Sequence, residues 1–69
     1  MLEIDARGLS CPEPVVLTRK AAKAKEAEIL VLVDNICAVE NVTRFGKNNG
    51  YSVETSEGNG EFTLFLKKQ

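Results

Sequence analysis

The two cysteines are the main candidates for chemistry in this 69-residue sequence, because it contains no histidine. Without an imidazole, a Cys–His dyad, a Ser–His–Asp triad and a histidine metal site are all excluded. Cys11 and Cys37 do not form a C-x-x-C pair, and two thiols cannot complete a structural zinc site without carboxylates. A disulfide between them is disfavoured in a reducing cytosol. The chemistry that remains is that of a thiol acting without a histidine base, and we predict no metal site.

Cys11 is followed by two prolines at alternate positions, a pattern typical of a helix start. Proline is favoured in the first turn, where backbone amides lack intrahelical acceptors. We therefore predict Cys11 as the N-cap, Pro12 as the first helical residue and Pro14 as the third. Because a proline disfavours the helical region for the residue before it, Cys11 is expected in an extended conformation that suits a cap.

An N-cap thiol lies at the positive end of the helix macrodipole, an environment that lowers cysteine pKa values below about 8.5. We expect the Glu13 amide to donate to the sulfur and Arg7 to add positive charge, whereas the Glu13 carboxylate would oppose it. Ser10 is a candidate hydrogen-bond donor to the sulfur, and Gly8 breaks the chain before it. The predicted result is a thiolate at neutral pH. The alternative is that Cys11 is only a small apolar cap.

Hydrophobic periodicity predicts six elements in the order β-α-β-α-β-β. Right-handed crossovers place both helices on one side of the sheet, which gives an α/β (α+β) two-layer sandwich with a mixed four-stranded sheet. The final hairpin adds an antiparallel strand to an otherwise parallel sheet. The predicted strands are 1–6, 28–33, 51–55 and 61–67, the helices are 12–27 and 36–49, and the hairpin loop is 56–60.

The apolar positions of these elements predict a core and an open sheet face. The expected core-facing residues are Leu17, Ala21 and Ala24 in the first helix, Ile29, Val31 and Val33 in the second strand, and Val39, Val42 and Phe45 in the second helix. Alternation then places Leu30, Leu32 and Phe65 on the face without helices. Three clustered apolar side chains indicate a homodimer or domain contact there.

The segment 5–15 (DARGLSCPEPV) resembles the signature of the TusA/SirA/YedF family of small sulfur-carrier proteins. Residues 34–35, 38–42 and 50–51 resemble the YedF branch in particular, through its N-terminal domain. The resemblance covers essentially the whole chain and implies one TusA-like domain, residues 1–69, with the β-α-β-α-β-β fold. It also implies that sulfur is carried as a persulfide on Cys11. Members close to TusA often have a basic residue where this chain has Ser10.

The resemblance implies a persulfide carrier rather than a stand-alone enzyme, with no resident cofactor. Its partners would be a sulfur donor, such as a cysteine desulfurase or another sulfurtransferase, and an acceptor protein with a thiol. Three alternatives stay open. They are a non-catalytic adaptor or regulatory domain, an accessory to thiosulfate uptake, and a selenium-handling relative that uses the same cysteine.

Charge and hydropathy limit which partners and which compartment the sequence predicts. Nine Lys and Arg against ten Asp and Glu leave a net charge of −1, and there is no Trp, so direct nucleic-acid binding is not predicted. No apolar run approaches the roughly 20 residues of a membrane span, and the N-terminus lacks a signal peptide pattern, so a cytoplasmic protein is expected. Arg19, Lys20, Lys23 and Lys25 crowd the first helix, as either a solvated face or a docking surface.

Cys37 follows Asp34-Asn35, a helix-start signal that predicts the beginning of the second helix. Both helices follow parallel strands and so begin at the same edge of the sheet, where ligands gather in parallel α/β folds. Cys37 is therefore a candidate second thiol that would resolve a Cys11 persulfide into a disulfide. The alternative is a small structural residue under the helix, since the family chemistry needs one cysteine only.

Overall fold

The computed structural model describes residues 2–10, 13–24 and 26–69. Their elements follow the predicted order and differ from the prediction mainly at their ends. They are β1 (Leu2–Asp5), α1 (Glu13–Lys23), β2 (Glu28–Val33), α2 (Ile36–Asn48), β3 (Tyr51–Gly58) and β4 (Glu61–Lys68).

The four strands form one mixed sheet in the order β1-β2-β4-β3. β1 pairs in parallel with β2, with Leu2 opposite Ile29, and β4 runs antiparallel to both of its neighbours. The two β-α-β crossovers put α1 and α2 on one face, so the predicted two-layer sandwich is confirmed.

The core lies between the two helices and the inner face of the sheet. Its fully buried strand residues are Ile29, Val31, Val33, Leu64 and Leu66. The helices contribute small residues, among them Ala21, Ala38 and Gly46. A Cβ at Gly46 would lie 2.8 Å from Val53 Cγ2 and 3.0 Å from Leu66 Cδ2, so α2 approaches the sheet at a distance that suits only glycine.

The predicted buried side of α1 is confirmed for Ala21 and in part for Leu17, and differs at the other positions. Pro14, Thr18 and Ala21 face the core, Leu17 is half-buried, and Ala24 is exposed beyond the end of the helix. The Thr18 hydroxyl donates to the Pro14 carbonyl at 2.8 Å, so a polar side chain is buried without a lost hydrogen bond. An alanine-rich helix shows little hydropathy contrast, which is why its pattern misplaced the buried side.

The core-facing prediction for α2 is confirmed in part. Val42 is fully buried and Val39 packs against the core. Phe45 is only half-buried and lines a surface depression between the helices. Its ring therefore belongs to the protein surface as much as to the core.

α1 ends four residues before the predicted position 27 because the connection to β2 has hydrogen bonds of its own. The Ala24 amide is shared between the carbonyls of Lys20 and Ala21, at 3.2 and 3.1 Å, as helix ends commonly do. The Tyr51 hydroxyl donates to the Glu26 carbonyl at 2.9 Å, which ties the connection to the start of β3.

The hairpin between β3 and β4 is tighter than the predicted five-residue loop. Asn59 and Gly60 form a two-residue turn with φ of 54° and 76°, and Gly58 pairs with Glu61. Positive φ at both central residues is the type I′ geometry, for which Asn-Gly is the preferred sequence. The signal was present in the sequence, and β3 is three residues longer than predicted as a result.

The open face of the sheet carries the predicted apolar side chains. Leu30 pairs directly with Phe65, and Leu32 lies two residues along β2. Acidic residues flank this pair on both edge strands, since Glu3 is opposite Leu30 and Glu54 is opposite Phe65. A homodimer or domain contact through this face stays a prediction.

Candidate functional site

Cys11 and Pro12 lie outside the described residues, as do Met1 and Lys25. The described part of the predicted site consists of the residues on each side of Cys11 and Pro12. Ser10 and Glu13 frame them, and both are exposed.

A β-turn from Ala6 to Leu9 leads from β1 toward Cys11. The Ala6 amide donates to the Leu32 carbonyl at 2.8 Å, which extends the β1–β2 ladder by one residue, and the Leu9 amide donates back to Ala6 at 3.3 Å. Gly8 is the third residue of this turn and has a φ of 79°, as in a type II turn. The glycine is needed there because other residues adopt positive φ at a cost.

Asp34 holds this turn against the neighbouring connection. Its Oδ2 accepts from the Gly8 amide at 2.8 Å, and its Oδ1 accepts from Asn35 Nδ2 at 3.3 Å. Asn35 is the N-cap of α2, as the sequence predicted, and its Oδ1 accepts from the Ala38 amide at 2.8 Å. The sequence pattern predicts only a helix start at Asp34 and gives no indication of this contact with Gly8. The available signal was an acidic residue at the carboxyl end of a parallel strand.

Arg7 is held by two carboxylates. Its Nε and Nη2 donate to the two carboxylate oxygens of Asp5, each at 2.8 Å, and its Nη1 donates to Glu61 Oε1 at 3.2 Å. The hydrogen bonds from Arg7 lower the pKa of Asp5 to about 2. We expected Arg7 to add positive charge at the thiol. The carboxylates of Asp5 and Glu61 instead offset that charge, and Arg7 links the end of β1 to the start of β4.

The start of α1 also differs in one detail. The Glu13 amide donates to the Ser10 carbonyl at 2.9 Å. We expected this amide to donate to the sulfur. A carbonyl oxygen is a stronger acceptor than a sulfur atom, so the amide is engaged by the backbone. Pro14 is buried and has no amide hydrogen, which agrees with its predicted place in the first turn.

Cys37 is the second residue of α2 and is exposed. Its sulfur accepts a long hydrogen bond of 3.6 Å from Asn41 Nδ2, and Asn41 lines a depression that Val15 of α1 also lines. Asp34 ties the Gly8 turn to the connection that precedes Cys37. The loop before Cys11 and the start of α2 thus share one edge of the domain, while the Cys11–Cys37 distance lies outside the described residues.

Three of the predicted docking residues are exposed on α1, but they do not point the same way. Arg19 and Lys23 line a depression of about 380 Å³ together with Lys68. Lys20, the residue after Arg19, is exposed and does not line this depression.

Within residues 2–10, 13–24 and 26–69, no three His, Cys, Asp or Glu side chains cluster in a way that could hold a metal ion. Neither described helix has the length and apolar character needed to cross a bilayer.

Fold and motif together define a small two-layer domain whose motif cysteine lies between an anchored turn and the first helix. The family model described as sulfurtransferase TusA matches residues 2–68, and the chain belongs to this TusA/SirA family. The resemblance to the YedF branch stays a prediction.

Individual relatives agree with this assignment. The chain is 38% identical to a protein of Methanocaldococcus jannaschii named as a candidate sulfur carrier, over 99% of this chain and 95% of that protein. It is 32% identical to the sulfur carrier protein TusA of Allochromatium vinosum, over 96% and 91% of the two chains. The crystal structure of a SirA-like protein from Desulfitobacterium hafniense superposes with a TM-score of 0.87 at 35% identity, covering 97% of this chain and 96% of that one.

Proposed function

We propose that this protein carries sulfur as a persulfide on Cys11 and passes it to the thiol of an acceptor protein. The observation that carries the proposal is the structure of the segments on each side of Cys11 in the sequence. Cys11 follows a turn that Asp34 holds in place and precedes Glu13, the first residue of α1. The relatives named as sulfur carriers support the same function.

The transfer chemistry needs no base if the thiolate is already formed. The Cys11 thiolate attacks the terminal sulfur of a donor persulfide, the donor S–S bond breaks, and the donor thiolate leaves. The product is a Cys11 persulfide, Cys11–S–SH, that keeps the sulfane sulfur at the same oxidation level. An acceptor thiolate then attacks that terminal sulfur and releases the Cys11 thiolate. The cycle balances without an oxidant or a reductant.

The helix N-terminus is the source of positive potential that we assign to the site. α1 has 11 residues, and its macrodipole favours negative charge at the first turn. Arg7 contributes less, because Asp5 and Glu61 already accept hydrogen bonds from its guanidinium. Arg7, with Gly8 and Asp34, instead supports the loop that presents the cysteine.

The partners of such a carrier are a sulfur donor, for example a cysteine desulfurase, and an acceptor protein. The exposed cations Arg19, Lys20 and Lys23 are the predicted docking residues, because opposite charge on a partner speeds encounter. Reversal of Lys20 and Lys23 to glutamate should slow transfer in a salt-dependent manner if they dock a partner. Equal rates at low salt would favour a solvated face.

Labelled sulfur distinguishes this function from a non-catalytic adaptor. A cysteine desulfurase charged with labelled cysteine should load the wild-type protein and the Cys37→Ser control, but not the Cys11→Ser variant. Mass spectrometry of protein purified from cells then identifies the cargo as one sulfur or one selenium atom. Full loading of Cys11→Ser would contradict the proposal.

A further inference from the structure

Two adjoining depressions lie along the line where α1 meets α2, and both are lined by Phe45 and Asn49. One has a volume of about 380 Å³ and lies toward Lys23, at the end of α1. The other has about 370 Å³ and extends toward Val15, near the start of α1. We call the two together the interhelical groove. Each depression is within the size range of protein binding sites.

The rim of this groove is cationic. Arg19, Lys23 and Lys68 line one depression and Arg44 lines the other, while no acidic side chain lines either among the described residues. Among the described residues, none of these four cations forms an ion pair, although Glu40 lines a further depression together with Arg44. The net charge of the chain is −1, so the cations are a local excess and not an overall bias.

The lining between the cations is largely apolar. Val15, Ala22 and the ring of Phe45 contribute to it, and Lys68 Nζ lies 5.1 Å from the centre of the Tyr51 ring. Phe45 is half-buried rather than part of the core. A half-buried aromatic ring in a concave surface is a typical anchor position in protein interfaces.

We propose that the interhelical groove binds an acidic, extended peptide segment of a protein partner, with an apolar side chain seated near Phe45. Carboxylates on the segment match the four cations, and the apolar side chain matches the lining between them. From Val15 to Lys23 the helix rises by about 12 Å, which about four extended residues span. The segment would therefore be short.

The groove also has a useful position relative to the sulfur motif. Val15 lies two residues after Glu13, so a bound segment reaches the end of α1 that follows Cys11. Identification of the partner as a sulfur donor or acceptor rests on the proposed function. Peptide binding itself does not, because it can be measured on the Cys11→Ser variant, which carries no thiol at the motif.

The test uses a fluorescein-labelled hexapeptide with four glutamates around a central leucine and phenylalanine, with both ends blocked. The double variant Arg19→Glu, Arg44→Glu should bind it at least tenfold more weakly than the parent protein. The matched control Lys47→Glu, Lys67→Glu changes the net charge equally at exposed positions outside the groove, and should weaken binding less than threefold. Circular dichroism checks that both variants keep the fold.

Two peptide variants and one competitor complete the test. Replacing the glutamates with glutamine should abolish binding, and replacing the two apolar residues with serine should weaken it at least fivefold. Equal losses in both double variants, or displacement of the peptide by a short RNA of the same charge, would overturn the proposal in favour of a non-specific polyanion surface. Absence of peptide binding by a wild-type protein that still loads sulfur would refute the groove alone and leave the proposed function standing.

Discussion

Replacement of Asp34 by alanine should loosen the loop that leads to Cys11 without unfolding the domain. Asp34 Oδ2 accepts the Gly8 amide at 2.8 Å and is exposed, so its loss leaves no cavity. A hydrogen bond from an amide to a charged group contributes about 1.5–3 kcal/mol, and exposure to solvent favours the lower end. Because 1.4 kcal/mol corresponds to about a factor of ten, local opening of the turn should become about tenfold more frequent.

Hydrogen exchange at the Gly8 amide, measured by NMR, reports this opening directly. Exchange should accelerate about tenfold in Asp34→Ala and by a smaller factor in Asp34→Asn, which keeps an acceptor without the charge. Glu40→Ala is the matched control, because Glu40 is an exposed carboxylate on α2 that accepts no hydrogen bond from the loop. Its Gly8 exchange should match the wild type.

Sulfur loading at limiting donor gives the functional readout. If the anchored turn presents Cys11, loading of Asp34→Ala should slow by up to the same factor of about ten. Unchanged Gly8 exchange in Asp34→Ala would refute the anchor itself. Faster exchange with normal loading would show that the anchor is structural and that the cysteine does not depend on it.

Three further predictions concern packing, acid stability and the second thiol. Gly46→Ala should lower the free energy of unfolding, measured in urea, by about 1–2 kcal/mol. The new methyl group lies 2.8 Å from Val53, and the cost of overpacking outweighs the gain in helix propensity. Unchanged stability would mean that β3 moves to accommodate the methyl group at no cost. Because Arg7 lowers the pKa of Asp5 from 3.8 to about 2, the pair contributes stability above pH 3.8 that is lost as the pH falls toward 2. In Arg7→Gln, NMR titration should show the Asp5 midpoint returning toward 3.8, and a midpoint that stays near 2 would contradict the pairing. Cys37→Ala should load and release sulfur at normal rates, and persulfide that loads but is not released would instead assign Cys37 a resolving role.

The sequence by itself determined the class of the fold and the identity of the motif. The continuous apolar run in β2 predicted a strand, and the structure buries Ile29, Val31 and Val33 on the side of the helices. The Asn59-Gly60 turn was also readable, although the prediction overlooked it. Where hydropathy contrast is low, as in α1, the pattern failed and placed Ala24 in the core instead of Thr18.

Only the tertiary structure decided which polar groups meet around the motif. Arg7 contacts Glu61, 54 residues away in the sequence, and Gly8 contacts Asp34, 26 residues away. No local pattern encodes these contacts, because they depend on how the crossovers bring the end of β1 beside the end of β2 and the start of β4. The interhelical groove has the same origin, since Arg19, Arg44 and Lys68 reach it from three different elements. A short-range pattern specifies what each element buries, and the packing of the elements specifies which exposed side chains become neighbours.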